Sequence, residues 1–259
     1  MKVIKRQITT HKDKIKILPL GDLHIGDRNL DKKLLKETIQ RIQDDPDCYC
    51  ILLGDIVDNA IRTSIGDIYG ADIPSPMDQL AEGVRIFEPI KDKILGCVIG
   101  NHEERTARHT GIDITSLLCQ QLGLADLYSP TSALIWLQIH KQGETHKSTY
   151  SIYCSHGMGN GRKPGSATNR MAEISEIIDC DCYLVGHTHK EIAFRQNFFR
   201  VDRTRGVVTE VEHLFVNTNA FLKYEGSYGE RGLFTPGARK VPVLLFESKH
   251  ATRRVEAVV

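Results

Sequence analysis

Apolar residues fall along this chain in short runs, each closed by a glycine or a serine. The runs over 15–20, 50–53, 94–99, 151–154 and 182–185 are rich in Ile, Val, Leu and Cys and end at Gly21, Gly54, Gly100, Ser155 and Gly186. Runs of this length bounded by turn residues predict buried strands. Between them, Leu30, Leu34, Leu35, Ile39 and Ile42 recur at helical spacing over 29–44, and Pro46 stops the pattern. Further helices are predicted over 77–91, 113–122 (with Asp113 as N-cap) and 166–178. Strands alternating with helices predict α/β packing with the helices outside. Alternation at Val3, Ile4 and Ile8 predicts an N-terminal strand. After Val185 the pattern changes: 191–201, 206–217, 241–247 and 253–258 read as strands and, with 134–139 and 150–154, predict a second, more antiparallel sheet. No repeat, low-complexity tract or linker divides the chain, so a single domain over 1–259 is expected. Two segments lack a core pattern. They are 61–76, with Gly66, Gly70, Pro74 and Pro76, and 223–240, with Gly226, Gly229, Gly232, Pro236 and Gly237. Loops of that length are functional or are surface excursions; 61–76 is a candidate lid and 223–240 a candidate oligomer contact.

The residues just past each strand end turn the picture from fold to chemistry. The chain reads Gly21-Asp22-Leu23-His24, Gly54-Asp55-Ile56-Val57-Asp58, Gly100-Asn101-His102-Glu103, Ser155-His156-Gly157 and Gly186-His187-Thr188-His189. Any one of these is a common turn. As an ordered set they place oxygen and nitrogen donors just past the carboxyl ends of strands, where open α/β sheets build their sites. Such a donor set suits two divalent ions. A pair of close cations needs a shared anion to offset its repulsion, and Asp55 is the candidate bridge. A mixed His, Asp and Asn set fits Mn, Fe, Zn, Co or Ni and argues against Ca.

This series of motifs, spanning Asp22 to His189, resembles that of the calcineurin-like metallophosphoesterase superfamily, which includes the Mre11/SbcD-type nucleases and the Ser/Thr protein phosphatases. The resemblance implies two facing mixed β-sheets flanked by helices, a four-layer sandwich. It also implies that Asp22, His24 and His189 hold one metal, that Asn101, His156 and His187 hold the other, and that Asp55 is shared. His187 and His189 would then diverge although only one residue separates them, so the turn between them must splay them. By the same resemblance, a water between the ions is the nucleophile, His102 protonates the leaving oxygen, and Asp58 orients His102. The function expected is dinuclear-metal hydrolysis of phosphate esters, with phosphodiesters favoured and nucleic acid within reach. The alternatives are a phosphomonoesterase acting on nucleotides or phosphoproteins, and a metal-binding scaffold without turnover.

Substrate specificity is less sharply written. Arg162 and Lys163 follow His156 in a glycine-rich basic turn, and Asn169 and Arg170 come shortly after; all four are candidate phosphate contacts. The stretch resembles phosphoesterases carried by bacteriophages. The Ser/Thr phosphatases carry an arginine directly after the second aspartate of their Gly-Asp motif, whereas this chain has Asp58-Asn59-Ala60. Arg195, Arg200, Arg203 and Arg205 interleave with Phe194, Phe198 and Phe199. This reads either as a stripe for a DNA backbone with stacking rings or, the favoured reading, as an amphipathic strand with solvated arginines.

Composition adds boundaries. At 259 residues, 41% hydrophobic and 26% charged, the chain is ordinary for a globular protein. A net charge of +1 gives no global attraction to nucleic acid, although a local basic stripe would suffice. No apolar stretch is long enough to span a membrane, and the basic, polar start is not a secretory signal. Seven cysteines, an odd number scattered among strands, read as small buried hydrophobes in a reducing cytoplasm.

Overall fold

The computed structural model describes residues 1–61, 70–159, 161, 163–237 and 239–259. Two six-stranded sheets carry the fold. The first runs β1 (Lys2–Thr10), β6 (Ala133–Lys141), β7 (Ser148–Cys154), β8 (Cys182–Val185), β10 (Val207–Asn217), β9 (Ile192–Asp202). The second runs β12 (Val255–Val258), β11 (Val243–Glu247), β2 (Lys14–Leu20), β3 (Cys48–Leu52), β4 (Ile94–Val98), β5 (Tyr128–Ser129). Both are mixed. In the second, β2 to β5 are parallel while β11 and β12 add antiparallel edges. The predicted strands all form, but the expected division into an α/β half and an antiparallel half does not hold. The ligand-bearing strands split between sheets, and the C-terminal β11 and β12 return to extend the parallel set of β2 to β5.

Packing explains the layers. Ile15, Ile17, Ile51, Leu95 and Val98 of one sheet meet Ile4, Ile135, Ile152, Leu184 and Val216 of the other in one buried core. The opposite face of the second sheet carries Leu18, Cys50 and Leu52. It is covered by α1 (Lys32–Asp44), α2 (Pro76–Phe87) and α4 (Ile114–Gln121) through Leu35, Ile42, Leu80, Phe87 and Leu118. On the first sheet's outer face, Met171 of α5 (Pro164–Ile174) packs with Tyr153, Tyr183 and Phe215. The result is the helix–sheet–sheet–helix arrangement expected. Strands buried on both faces read as continuous apolar runs, which is why they are visible in the sequence.

The helix starts follow local chemistry. The side chains of Asp31, Ser75 and Asp113 accept hydrogen bonds from the amides of Leu34, Asp78 and Ser116. Pro76 and Pro164 each occupy a first turn, where a missing N–H costs nothing. The helix α3 (Asn101–Thr110) is not predicted by the sequence pattern: it begins directly at the Gly100-Asn101 turn. Its sequence is polar but for Ala107 and only Glu103 is buried, so no apolar stripe betrays it. Gly111, with φ 75°, ends it in the left-handed conformation.

Candidate metal centre

The loops after β2, β3, β4, β7 and β8 meet at one seam of the two sheets. The Asp22 amide donates to the Gly54 carbonyl (3.1 Å), the Gly186 amide to the His156 carbonyl (2.9 Å), and the Phe221 amide to the Asp22 carbonyl (3.0 Å). The loops touch backbone to backbone, and this requires glycine. A Cβ on Gly100 would lie 2.0 Å from the Asp55 nitrogen, and one on Gly54 would lie 2.4 Å from the Gly100 nitrogen. Left-handed φ values cluster here as well: Asp22 (55°), His24 (53°), Asp55 (49°), Asn59 (46°), His187 (69°) and His189 (54°). Outside the seam, Leu233 is the one other non-glycine residue with positive φ among the described residues. Side chains rarely adopt this conformation, and runs of it mark functional sites, where the surrounding structure holds the strain.

The left-handed turns aim the side chains at two foci. Asp22, His24 and His189 each present a donor atom, all within 4.8 Å of one another. His189 Nε2 lies 3.1 Å from Asp22 Oδ1 and 3.4 Å from His24 Nε2. Asp55, His156 and His187 form a second group on the same criterion. Asn101 joins it, its Oδ1 lying 2.8 Å from His156 Nε2 and 2.7 Å from His187 Nδ1. His187 and His189 thus diverge to different groups. Asp55 Oδ2 stands between the groups, 3.3 Å from His156 Nε2 and 4.0 Å from His24 Nε2. Asp22, His24, Asp55 and His156 are all buried.

The chemistry of this donor set fits a pair of cations. His156 Nδ1 lies 2.7 Å from the Leu53 carbonyl, which can only accept, so Nδ1 carries a proton and Nε2 is the atom that faces the second group. Buried Asp22 and Asp55 lie near each other, and among the described residues the groups that chiefly offset their charge are histidines, His189 and His156 for Asp22 and His156, His102 and His24 for Asp55. Burial works against those carboxylates and is outweighed by the neighbouring imidazoles, so both stay below the usual carboxylate range. In return, burial works against protonated His24 and His156 and is outweighed by the carboxylates, which hold them up at about 9 and about 10. Protons are thus gathered where positive charge is needed. A site that gathers protons this way is one that two divalent ions would neutralise better.

His102 stands at the edge of both groups. Its Nδ1 lies 2.6 Å from the Asp58 carbonyl and its Nε2 3.8 Å from Asp55 Oδ2. The family resemblance implies that the Asp58 carboxylate orients this ring. The hydrogen bond is with the Asp58 main-chain oxygen, while the carboxylate stands 3.6 Å from the Nδ1 atoms of both His102 and His24. Burial first, then the charge of His24, lowers the His102 pKa.

Three supporting residues are not singled out by the sequence. Buried Glu103 accepts from the amides of Asp55 (3.1 Å), Val57 (3.0 Å) and Gly100 (3.2 Å), pinning the β3 and β4 loops together. Asn59 Nδ2 donates to the His102 carbonyl (2.7 Å) and to Thr106 Oγ1 (2.7 Å), and its amide donates to Gln79 Oε1 (2.8 Å). Glu103 ends the Gly100-Asn101-His102-Glu103 motif and Asn59 takes the place of the missing arginine, so both had a signal. Gln79, on α2, had none.

The donor groups open into a cleft of about 810 Å³. Its cationic lining is Arg28, Arg105, Lys190, Lys223, Arg231 and Arg239. Lys163, Asn169 and Arg170 do not line it: α5 buries Ala167 and Met171 against the sheet, which turns Asn169 and Arg170 outward, and Arg170 pairs with Glu173. Arg162 lies outside the described residues, as do residues 62–69 of the candidate lid, while Gly70 and Ala71 line the cleft. Segment 223–240, expected as a surface or oligomer element, forms part of the cleft wall. On the basic strand β9 the aromatic residues divide, Phe194 and Phe198 packing inward and Phe199 standing exposed. Phe194 stacks on Phe215 and Phe198 on His213, while Arg195 pairs with Glu212 and Arg200 with Asp179.

No helix among the described residues is long and apolar enough to cross a membrane. Residues 15–191 match the family model described as calcineurin-like phosphoesterase. No curated protein matches the sequence. Among solved structures, the chain is similar to vacuolar protein sorting 29 from Cryptosporidium parvum, at 16% identity and TM-score 0.43 over 95% of this chain and 98% of that one. It is similar to a metallophosphoesterase from Sphaerobacter thermophilus, at 15% identity and TM-score 0.42 over 95% and 89%. It is also similar to GAP50, the anchor in the inner membrane complex of Plasmodium, at 9% identity and TM-score 0.47 over 91% and 82%.

Proposed function

The chain belongs to the calcineurin-like phosphoesterase family, and from that premise we propose that it hydrolyses phosphodiesters with two divalent ions. The observation that carries this reading is the pair of donor groups sharing Asp55 at the base of a cationic cleft of about 810 Å³. That volume falls in the range of about 300–1,000 Å³ that holds a whole small-molecule ligand, so the cleft has room for substituents on both sides of a phosphate.

Asp22, His24 and His189 would hold one ion, Asn101, His156 and His187 the other, with Asp55 common to both. Such ions, when bound, lower the pKa of water and polarise phosphoryl oxygens; Mn is the first choice, and Fe, Zn, Co and Ni suit the same donors. The remaining roles belong to the chain itself. His102 donates Nδ1–H to the Asp58 carbonyl, which leaves Nε2 as the atom that carries a proton to the leaving oxygen. Asn59 holds the main chain of His102 and so fixes the base of that ring. Arg105, one turn along α3 from Asn101 and near enough to Asp58 to help hold its pKa down, lines the cleft. We assign it the phosphate contact that the arginine missing after Asp58 would have made.

The test compares bis-p-nitrophenyl phosphate with p-nitrophenyl phosphate under Mn. A higher kcat/KM on the diester is the expected result. A higher value on the monoester would make the chain a phosphomonoesterase. Silence on both with Mn, Fe, Zn, Co and Ni would leave a metal-binding scaffold.

A further inference from the structure

The cleft wall formed by 222–237 lies wholly beyond the residues that match the family model, 15–191. It is held as a strap along the cleft, tied down at both ends. At one end Leu222 bridges to Leu30, and the Lys223 amide donates to the Asn29 carbonyl (2.8 Å). Just beyond its other end Arg239 pairs with buried Asp31, the N-cap of α1. Within the strap, the Tyr224 hydroxyl donates to the Phe234 carbonyl (2.9 Å), and the Phe234 amide donates to the Gly229 carbonyl (2.9 Å). Ser227 Oγ donates to the Tyr224 carbonyl (2.7 Å). These bonds fix Tyr224 and Phe234 relative to each other, both half-buried and both lining the cleft, with Lys223 and Arg231 beside them.

Aromatic residues flanked by cations on the wall of a phosphate-binding cleft form a surface for a planar, anion-bearing ligand. Every nucleobase offers a π-face, and base–aromatic stacking tolerates any sequence. We infer that this strap is a nucleoside subsite: Tyr224 and Phe234 take the base of a nucleotide phosphodiester while its phosphate lies at the donor groups. The inference rests on the phosphodiesterase reading above and narrows its substrate class.

The test uses two diesters with one leaving group, thymidine 5′-(p-nitrophenyl phosphate) and methyl p-nitrophenyl phosphate, so that chemistry at phosphorus is matched. With Mn, the nucleoside ester is expected to exceed the methyl ester in kcat/KM by roughly tenfold or more. In Phe234→Leu and Tyr224→Leu, which keep apolar volume and remove the ring, that ratio is expected to fall toward one. A ratio near one in the wild type, or one unchanged in both variants, overturns the subsite. Calorimetric titration with thymidine 5′-monophosphate and with inorganic phosphate gives a readout independent of turnover. Tighter binding of the nucleotide, lost in the variants, upholds the subsite; equal binding overturns it. Hydrolysis of neither ester with any of the five metals defeats the phosphodiesterase reading alone and leaves the subsite to be decided by the titration.

Discussion

At the scale of single residues, the proposed function gives His102 and Glu103, neighbours in the chain, opposite tasks. His102 faces the cleft, with its Nδ1 proton committed to the Asp58 carbonyl. His102→Ala is expected to keep its metals and to lose about 10²–10⁴-fold in kcat on an ester with an alkyl leaving group. The loss should be much smaller on a p-nitrophenyl ester, whose leaving group needs no proton; equal losses on both would contradict the role. The pH dependence follows from the same ring. Burial lowers its pKa, and bound cations beside it would act in the same direction, so the protonated, donor form is depleted at a lower pH than for an ordinary histidine. Turnover of the alkyl ester should fall, relative to that of the p-nitrophenyl ester, as pH rises past that lowered value, a comparison that parallel pH profiles make. Glu103 faces the interior and satisfies three amides. Glu103→Ala orphans them and is expected to cost about 3–5 kcal/mol, measured as a fall in the urea midpoint.

At the scale of elements, the site is the meeting of loops from both sheets, and glycine lets them meet. Gly100→Ala would drive a methyl into Asp55, and we expect that variant to fold while binding no more than one ion per chain, which metal analysis of the dialysed protein checks. Much of this is legible in the sequence. Strands buried on both faces announce themselves as apolar runs, and the donors stand directly at their ends. The features that are not legible depend on contacts distant in the chain. Helix α3 has no apolar stripe because it stands at the edge of the cleft, with Glu103 its one buried residue. That the strap 222–237 belongs to the cleft cannot be read from its glycines and prolines, because its place is set by Asn29, Leu30 and Asp31, nearly 200 residues earlier. The phosphate contacts expected at Lys163, Asn169 and Arg170 rest on nearness in sequence to His156; the packing of α5 turns Asn169 and Arg170 outward, and Lys163, just before that helix, does not line the cleft.

At the scale of the whole molecule, the buried charge of the centre links stability to pH and to metal. In the metal-stripped protein, His24 and His156 are held at about 9 and about 10, above the ordinary histidine value near 6.5. A folded pKa above the unfolded one contributes stability that is fully present below about pH 6.5 and is lost as pH rises through the folded value. Metal-stripped protein is therefore expected to melt at progressively lower temperature between pH 6.5 and 10. Added Mn should raise the melting temperature, and raise it most at the alkaline end, because the ions replace those protons. Thermal melts across that range, with chelator and with Mn, check both statements.

The most direct measurement is the number and placement of ions. Crystals of the Mn-loaded wild type should show two anomalous peaks per chain with an Asp55 oxygen touching both, and Asp55→Asn should lose the pair. A single ion held without Asp55, or an intact pair in Asp55→Asn, would contradict a dinuclear centre built on that carboxylate.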